Sequence, residues 1–255
     1  MTYDPPSFQH AGGSKTLTAG RLAPEPSGKA ALAASTPSVP KYMHEVYSWA
    51  YLSPVGQWVF DRSVSVNAIL WGNADRLIQS VEDELEAGQK VLQAACVYGD
   101  FSKRMASKVG PEGRLDVIDI APNQVRQTRV KLSEHPQASV RIADAREPGV
   151  GELDVAICFF LLHEVPADYK PVIVNALFDS VRPGGKVVFV DYHRMAGWHP
   201  LRPIMWSVYR LLEPFAQELV DGSIPALAAQ RDDIEWGPTQ TFFGGLYQKI
   251  VAHRR

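Results

Sequence analysis

The sequence predicts an α/β fold, a doubly wound and mostly parallel sheet closed by an antiparallel C-terminal hairpin. Three observations carry that reading. From Lys90 onward, short apolar runs alternate with amphipathic segments, the pattern of strands and helices laid down in turn. The first run ends in a turn that resembles a nucleotide-binding turn, and an acid follows about 20 residues later. The last run, 234–252, reads as two strands around Gly244-Gly245.

The elements follow in order. Residues 1–40 are rich in Pro, Ser, Ala, Gly and Thr and read as a disordered tail, since they bury too little apolar surface to offset ordering entropy. Residues 41–87 read as a helical N-terminal lid: an aromatic entry segment with Tyr42, Trp49, Tyr51, Trp58 and Phe60, then a helix from about Asn67 to Glu86 stopped by Gly88. Val91 to Cys96 is the first strand and Phe101 to Val109 its helix. Arg114 to Ile120, Val140 to Ala143, Leu153 to Phe160 and Lys186 to Asp191 are the next strands. Helices lie over Pro122 to Ser133 and Ala167 to Val181, and Pro183-Gly184-Gly185 turns the chain into the fifth strand. Residues 195–220 interrupt the rhythm with Trp198, Trp206, Tyr209 and Phe215 among three prolines. Residues 41–255 thus form a single domain with a helical cap and an aromatic insertion.

Composition narrows the function. The 255 residues are 45% hydrophobic, enough for one sizeable core, and the net charge of -2 argues against a nucleic-acid surface. The two cysteines, Cys96 and Cys158, fall in apolar strands, which points to a reducing compartment rather than a disulfide framework. No apolar run approaches the ~18 residues of a membrane span, and no signal-peptide core is evident at the start.

Ligands of such sheets lie at the carboxyl ends of the strands. Four ends matter. Cys96-Val97-Tyr98-Gly99-Asp100 keeps only Gly99 where a Gly-rich turn would leave room for a ligand backbone. Asp119 stands at the spacing of a ribose-gripping acid, or else caps the helix at Pro122. Asp144 and Ala145 either meet an adenine or lie in an exposed loop. Phe160 to Glu164 and Asp191-Tyr192-His193 complete the set.

Here a family resemblance emerges. Strand 1 with its turn, Val117-Ile118-Asp119-Ile120-Ala121-Pro122, Asp144-Ala145, Phe160-Leu161-Leu162-His163-Glu164-Val165 and Val181-Arg182-Pro183-Gly184-Gly185-Lys186 resemble, in order, the motifs of class I S-adenosylmethionine (SAM) methyltransferases over about residues 88–194. The resemblance implies a Rossmann-like fold in which Asp119 binds the ribose, Asp144 and Ala145 the adenine, and Phe160 to His163 border the substrate, with Val97, Gly99 and Ile120 beside the cofactor. The turn Cys96 to Phe101, the Phe159 to Val165 stretch and Thr241 to Lys249 further resemble the RquA-type rhodoquinone biosynthesis proteins.

That finer resemblance implies conversion of ubiquinone to rhodoquinone, with SAM donating its amino group in place of a ring methoxy group. A divalent metal, manganese by the resemblance, would assist. Tyr98, Asp100 and His163 become the expected catalytic residues, and His163, Asp191 and His193 the expected metal ligands. The aromatic segments and Lys41, Arg62, Arg202 and Arg210 suit a protein peripheral to the inner face of the cell membrane and otherwise cytoplasmic, because Trp, Tyr and cations favour that boundary. Two other readings stay open at this point: a conventional SAM-dependent methyltransferase acting on a quinone, lipid or small phenol, and a non-catalytic binding protein that kept the fold.

Overall fold

A computed structural model describes residue 40 and residues 67–255. The expected tail and the aromatic entry segment up to residue 66 therefore fall outside the described residues, apart from Pro40.

Among the described residues eight strands form one sheet in the order β3-β2-β1-β4-β5-β8-β6, with β7 also paired to β8. The strands are β1 (Lys90–Gln93), β2 (Arg114–Asp119), β3 (Ala138–Ile142), β4 (Leu153–Phe159), β5 (Val181–Tyr192), β6 (Ile234–Trp236), β7 (Gln240–Phe242) and β8 (Tyr247–Arg254). β1 to β5 are parallel, and β8 runs antiparallel to β5, β6 and β7. The order reverses between β1 and β4, the switch point at which doubly wound sheets open a crevice. The helices are α1 (Ala74–Glu82), α2 (Phe101–Val109), α3 (Pro122–Lys131), α4 (Tyr169–Ser180), α5 (Arg202–Leu211) and α6 (Ala216–Asp221).

Period-2 alternation assigns each strand residue to one face. Val91, Val117, Val155, Ile157, Val188 and Val190 join a core with Leu77, Phe101 and Met105 of α1 and α2. Leu92, Ile118, Ala156, Cys158, Val187 and Phe189 face the opposite core with Ile173, Leu177 and Phe178 of α4. Both faces of the central strands are covered, which is why these strands read as unbroken apolar runs in the sequence. Cys158 is buried and Cys96 half-buried, and neither forms a disulfide.

Several boundaries differ from the sequence reading. The helix expected over 67–86 is interrupted: residues 67–69 are helical, the chain turns at Trp71 and Gly72, both at positive φ, and α1 runs from Ala74 to Glu82. β1 ends at Gln93, three residues before Cys96; the Ala94 N–H still donates to the Ile157 carbonyl of β4, and the turn begins beyond it. Pro183-Gly184-Gly185 does not precede β5 but lies within it. Pairing with β4 jumps there from Leu153–Val181 to Val155–Lys186. The closing hairpin has one more piece than expected. β6 and β7 follow one another along the outer edge of β8, joined by the Gly237 N–H donating to the Val251 carbonyl. No described helix is long and apolar enough to cross a membrane.

Charges pin α1 to the sheet. Lys249 of β8 donates to the Ser80 carbonyl and to Glu84, and Lys186 of β5 meets the same carboxylate at 2.9 Å. These contacts hold Glu84 below the usual carboxylate range against the opposing effect of its burial.

The crowding at Gly185 is testable. A Cβ there would lie 2.9 Å from the Arg182 carbonyl oxygen and 3.0 Å from those of Asp154 and Leu153, backbone atoms that cannot swing aside. Gly185→Ala is expected to lower stability by about 1–3 kcal/mol, the usual cost of overpacking. Chemical denaturation with an unchanged m-value checks it.

Candidate active site

A cavity of about 450 Å³ opens at the carboxyl ends of β1 to β5. Its wall on the β1–β3 side carries Cys96, Val97, Tyr98, Asp119, Ile120, Asp144 and Ala145. On the β4–β5 side stand Phe160, His163, Glu164 and Tyr192, and Met205, Val208, Leu212 and Glu213 reach in from α5 and the turn after it. Ile69, Leu70 and Trp71 also border it.

The β1 turn keeps its course without the missing glycines. Gly99 alone takes positive φ, at 76°, while Val97 and Tyr98 do not enter that region. Their side chains line the cavity instead, so the turn presents a valine and a phenol where glycine would leave open space. Asp100 lies elsewhere. It is exposed, at the N-cap position of α2, and borders a surface depression with Lys103 and Arg104 rather than the cavity. Gly99 is likewise not part of the cavity wall; its carbonyl accepts from Lys131.

Asp119 ends β2 and is held by the backbone on both oxygens. One accepts from Cys96 N–H at 2.8 Å and the other from Ala121 N–H at 2.7 Å. It closes the β1 turn against β2, braces the residue before α3 and lines the cavity. Withdrawal from water pushes it up to about 6, against the lowering effect of its N–H partners. Asp144 is gripped by Arg146, whose Nη2 lies 2.7 Å away and whose guanidinium stacks 3.9 Å over the Tyr169 ring. Asp144 thus faces the cavity with its charge already paired.

The β4–β5 side is organised by a buried acid. Asp191 accepts from the N–H groups of Leu162, His163 and Tyr192 and from His163 Nδ1 at 2.8 Å. Only a tight 3₁₀ turn, Leu162–Glu164, brings these donors together. To reach that turn the chain places Phe160 at φ 51°, a strained conformation for an aromatic residue and the kind found where a site overrides local preference. Burial alone would push the His163 imidazolium down; Asp191, with Glu213 and Glu164 beyond it, holds it up to about 9 instead. His163 Nε2 lies 3.9 Å from a carboxylate oxygen of each of those glutamates. Near neutral pH the site therefore carries a cation whose orientation is set by Asp191.

The expected metal trio does not form. His163 and Asp191 meet, but as donor and acceptor of one hydrogen bond, and the carboxylate is further engaged by three N–H groups. His193 is not part of the cavity wall; its Nδ1 lies 3.0 Å from the Gly245 carbonyl of the closing hairpin. Among the described residues no group of three His, Cys, Asp or Glu side chains is placed to hold a metal ion. These donors do not fit manganese.

Glu164, in the Phe160 to Glu164 stretch singled out in the sequence, lines the cavity, whereas a second glutamate of the wall escapes sequence reasoning. Glu213 sits inside the aromatic insertion with no motif around it, and only Pro214 marks the break between α5 and α6 that lets it face His163.

The His163–Asp191 pair has a measurable consequence. The imidazolium lies above its unfolded value of 6.5, so its stabilising contribution is complete below about pH 6.5 and is lost as pH rises through about 9. NMR titration of the ring should give a midpoint near 9, falling below 6.5 in Asp191→Asn, where burial acts with a weaker opponent. A wild-type midpoint at 6.5 would contradict the assignment.

Comparison with known proteins agrees with this geometry. Residues 91–185 match a methyltransferase-domain family. The demethylmenaquinone methyltransferase of Lactococcus lactis is 26% identical over 128 residues, 49% of this chain and 48% of that protein. The ubiquinone/menaquinone biosynthesis C-methyltransferase of Cupriavidus metallidurans is 26% identical over 182 residues, 69% of this chain and 73% of the relative. The chain thus spans about half the length of the first relative and more of the second. A SAM-dependent methyltransferase from Methanosarcina mazei shares the fold with a TM-score of 0.54 at 16% identity, over 69% of this chain and 96% of its own. The chain is thus similar in fold to a SAM-dependent methyltransferase and, over residues 91–185, similar in sequence to a methyltransferase-domain family.

Proposed function

We propose that the chain is a SAM-dependent transferase that modifies the ring of a membrane quinone. One observation carries this reading: a single cavity joins an acid-bearing end at β1–β3 to an aromatic end at β4–β5 that holds a positioned cation. The first end suits a nucleoside, with Asp119 toward the ribose and Asp144 and Ala145 toward the adenine. The second suits a flat, apolar ring bearing oxygen. The names of the two quinone-pathway relatives support the substrate class.

The group transferred is proposed to be nitrogen. The support is the turn, where Val97 and Tyr98 occupy space that the methionine end of SAM would use beside glycines, and the RquA-type motifs around it. A changed seat for that end would present the amine to the ring. Amino transfer is then two bond exchanges. The neutral amine adds to the methoxy-bearing ring carbon and methanol leaves, carrying away one amine proton. The nitrogen–Cα bond of the donor then breaks as a Cβ proton is lost and the nitrogen takes one up. During addition, negative charge develops on a ring oxygen, and the His163 imidazolium is a donor for it. Methyl transfer to the same ring is the second reading, favoured by the names of the relatives.

Access from a lipid surface is part of the proposal. Trp198, Trp206 and Leu211 are 77%, 57% and 76% exposed, and Arg202 and Arg210 stand among them. Large apolar side chains interleaved with cations are suited to an anionic interface. The inner face of the cell membrane is the proposed location. Flotation with anionic liposomes should recover the wild type, and recovery should drop when Trp198 and Trp206 are replaced by Ser.

Two further measurements test the reaction. SAM labelled with nitrogen-15 at its amino group should place label in the quinone product, whereas methyl-labelled SAM should not; the reverse pattern establishes methyl transfer. Calorimetry should show Asp119→Ala weakening SAM binding by about 1–3 kcal/mol, the loss of a charged-acceptor bond. Since Asp119 loses its charge below about pH 6, wild-type affinity should fall between pH 7.5 and 5, and the fall should be absent in Asp119→Ala.

A further inference from the structure

The break between α5 and α6 carries Glu213 into the cavity, and a buried cation outside the cavity anchors that break. Lys170, at the start of α4, is 1% exposed. Its Nζ donates to the Phe215 carbonyl at 3.0 Å and to Glu218 at 3.1 Å. Both acceptors belong to the start of α6. A buried ammonium is costly, and an apolar side chain of similar size would fill the space without that cost. What the lysine adds over such a side chain is direction: it ties the first turn of α6 to α4 at one point.

Glu213 depends on where that turn sits. Its N–H donates to the Val208 carbonyl at 3.0 Å, and its carbonyl accepts from Ala216 N–H at 3.0 Å, so it spans the end of α5 and the start of α6. Pro214 follows it, offers no N–H and disfavours a helical course at Glu213, so α5 cannot run on into α6. Phe215, the residue Lys170 grips, is two positions beyond Glu213. α6 also packs on the Leu162–Glu164 turn that bears His163. With α6 seated in this way, Glu213 Oε2 lies 3.9 Å from His163 Nε2, and Glu164 Oε1 lies at the same distance.

We infer that Lys170 is a positioning residue for the active site: by holding the start of α6 against α4, it fixes the Glu213 carboxylate beside His163. Nε2 is the ring nitrogen that does not meet Asp191, and its proton is the one a ring oxygen of the substrate would accept. A carboxylate held next to it favours the charged, proton-bearing ring. The inference rests on the packing of α4, α5 and α6 and not on which group is transferred. Only the turnover measurement below also rests on the transferase reading.

Lys170→Met removes the charge at similar volume, and Lys170→Arg keeps a cationic donor. In the full chain, amide hydrogen exchange at Glu213 and Ala216 should quicken about tenfold in Lys170→Met, while the amides of β1, β4 and β5 keep their rates. Lys170→Arg should recover most of the protection. The His163 ring separates displacement of Glu213 from simple loss of a charge. Deleting a cation by itself raises the NMR titration midpoint of the ring, whereas moving Glu213 away lowers it. The midpoint should fall in Lys170→Met by about one pH unit, the size expected of one carboxylate at that distance. It should fall alike in Glu213→Gln and no further in the double variant. In turnover, kcat of Lys170→Met should drop about tenfold, less than the loss of an oxyanion donor outright, with KM for SAM unchanged. A midpoint that holds or rises in folded Lys170→Met overturns the inference. Loss of protection spread evenly over the sheet also overturns it, by showing a general stabilising role. Should Lys170→Met fail to fold, Glu218→Ala, which removes the exposed partner of the lysine, should quicken exchange at Glu213 selectively; unchanged exchange there overturns the inference. Absence of product from the wild type sinks the transferase reading alone, and the exchange and ring measurements still decide the role of Lys170.

Discussion

The carboxylate of Asp191 is the contact on which the substrate side of the cavity depends. It sits at the end of β5 and gathers three backbone N–H groups and one imidazole N–H. Parallel strands do not by themselves tie their carboxyl ends together, because the ladder stops where the loops begin. Here one buried acid does so. It draws the turn after β4 against β5, sets Phe160 in its strained conformation and orients His163. A buried carboxylate without such donors would face a large desolvation cost, so the turn and the acid require one another.

Asp119 acts similarly at the other end. Its two backbone partners belong to the β1 turn and to the entry of α3. The β1 turn has only one residue at positive φ, and its tolerance of Val97 and Tyr98 follows from that support. The last backbone bond to β4 is made by the Ala94 N–H, and from Cys96 on the turn is held by Asp119. This separates two demands that a Gly-rich turn usually meets together. One is a tight backbone course, met here by Gly99 and the acid. The other is open space for a ligand, which this chain fills with side chains.

The aromatic cluster extends the same logic toward the closing hairpin. Tyr192, Tyr209 and Tyr247 come from β5, α5 and β8, elements far apart in sequence. Tyr192 and Tyr247 pack edge-on against Phe160 and stack on one another, and Tyr209 packs edge-on against Tyr192, so the antiparallel addition to the sheet backs the wall of the cavity. The exposed apolar residues of α5 lie on the same helix that contributes Met205 and Val208 to the cavity, linking the outer surface to the inner one.

The sequence by itself determined the alternation of strands and helices, the antiparallel closure at Gly244-Gly245, and the acids at the ends of β2 and β3. These features are local: they depend on period-2 and period-3.6 patterns and on glycine at turns, which a linear reading registers directly. Tyr98, Asp119, Asp144, Phe160 and His163 were legible because each follows its strand within a few residues, where such folds place ligands. Long-range packing turns Asp100 away from the cavity and gives His193 to the hairpin while Asp191 serves His163. It alone brings Glu213 to the same site as His163. Those outcomes depend on how a turn or an insertion packs against a distant strand. Burial, charge pairing and the register of β5 with β8 set that packing, and no periodicity in the chain encodes it.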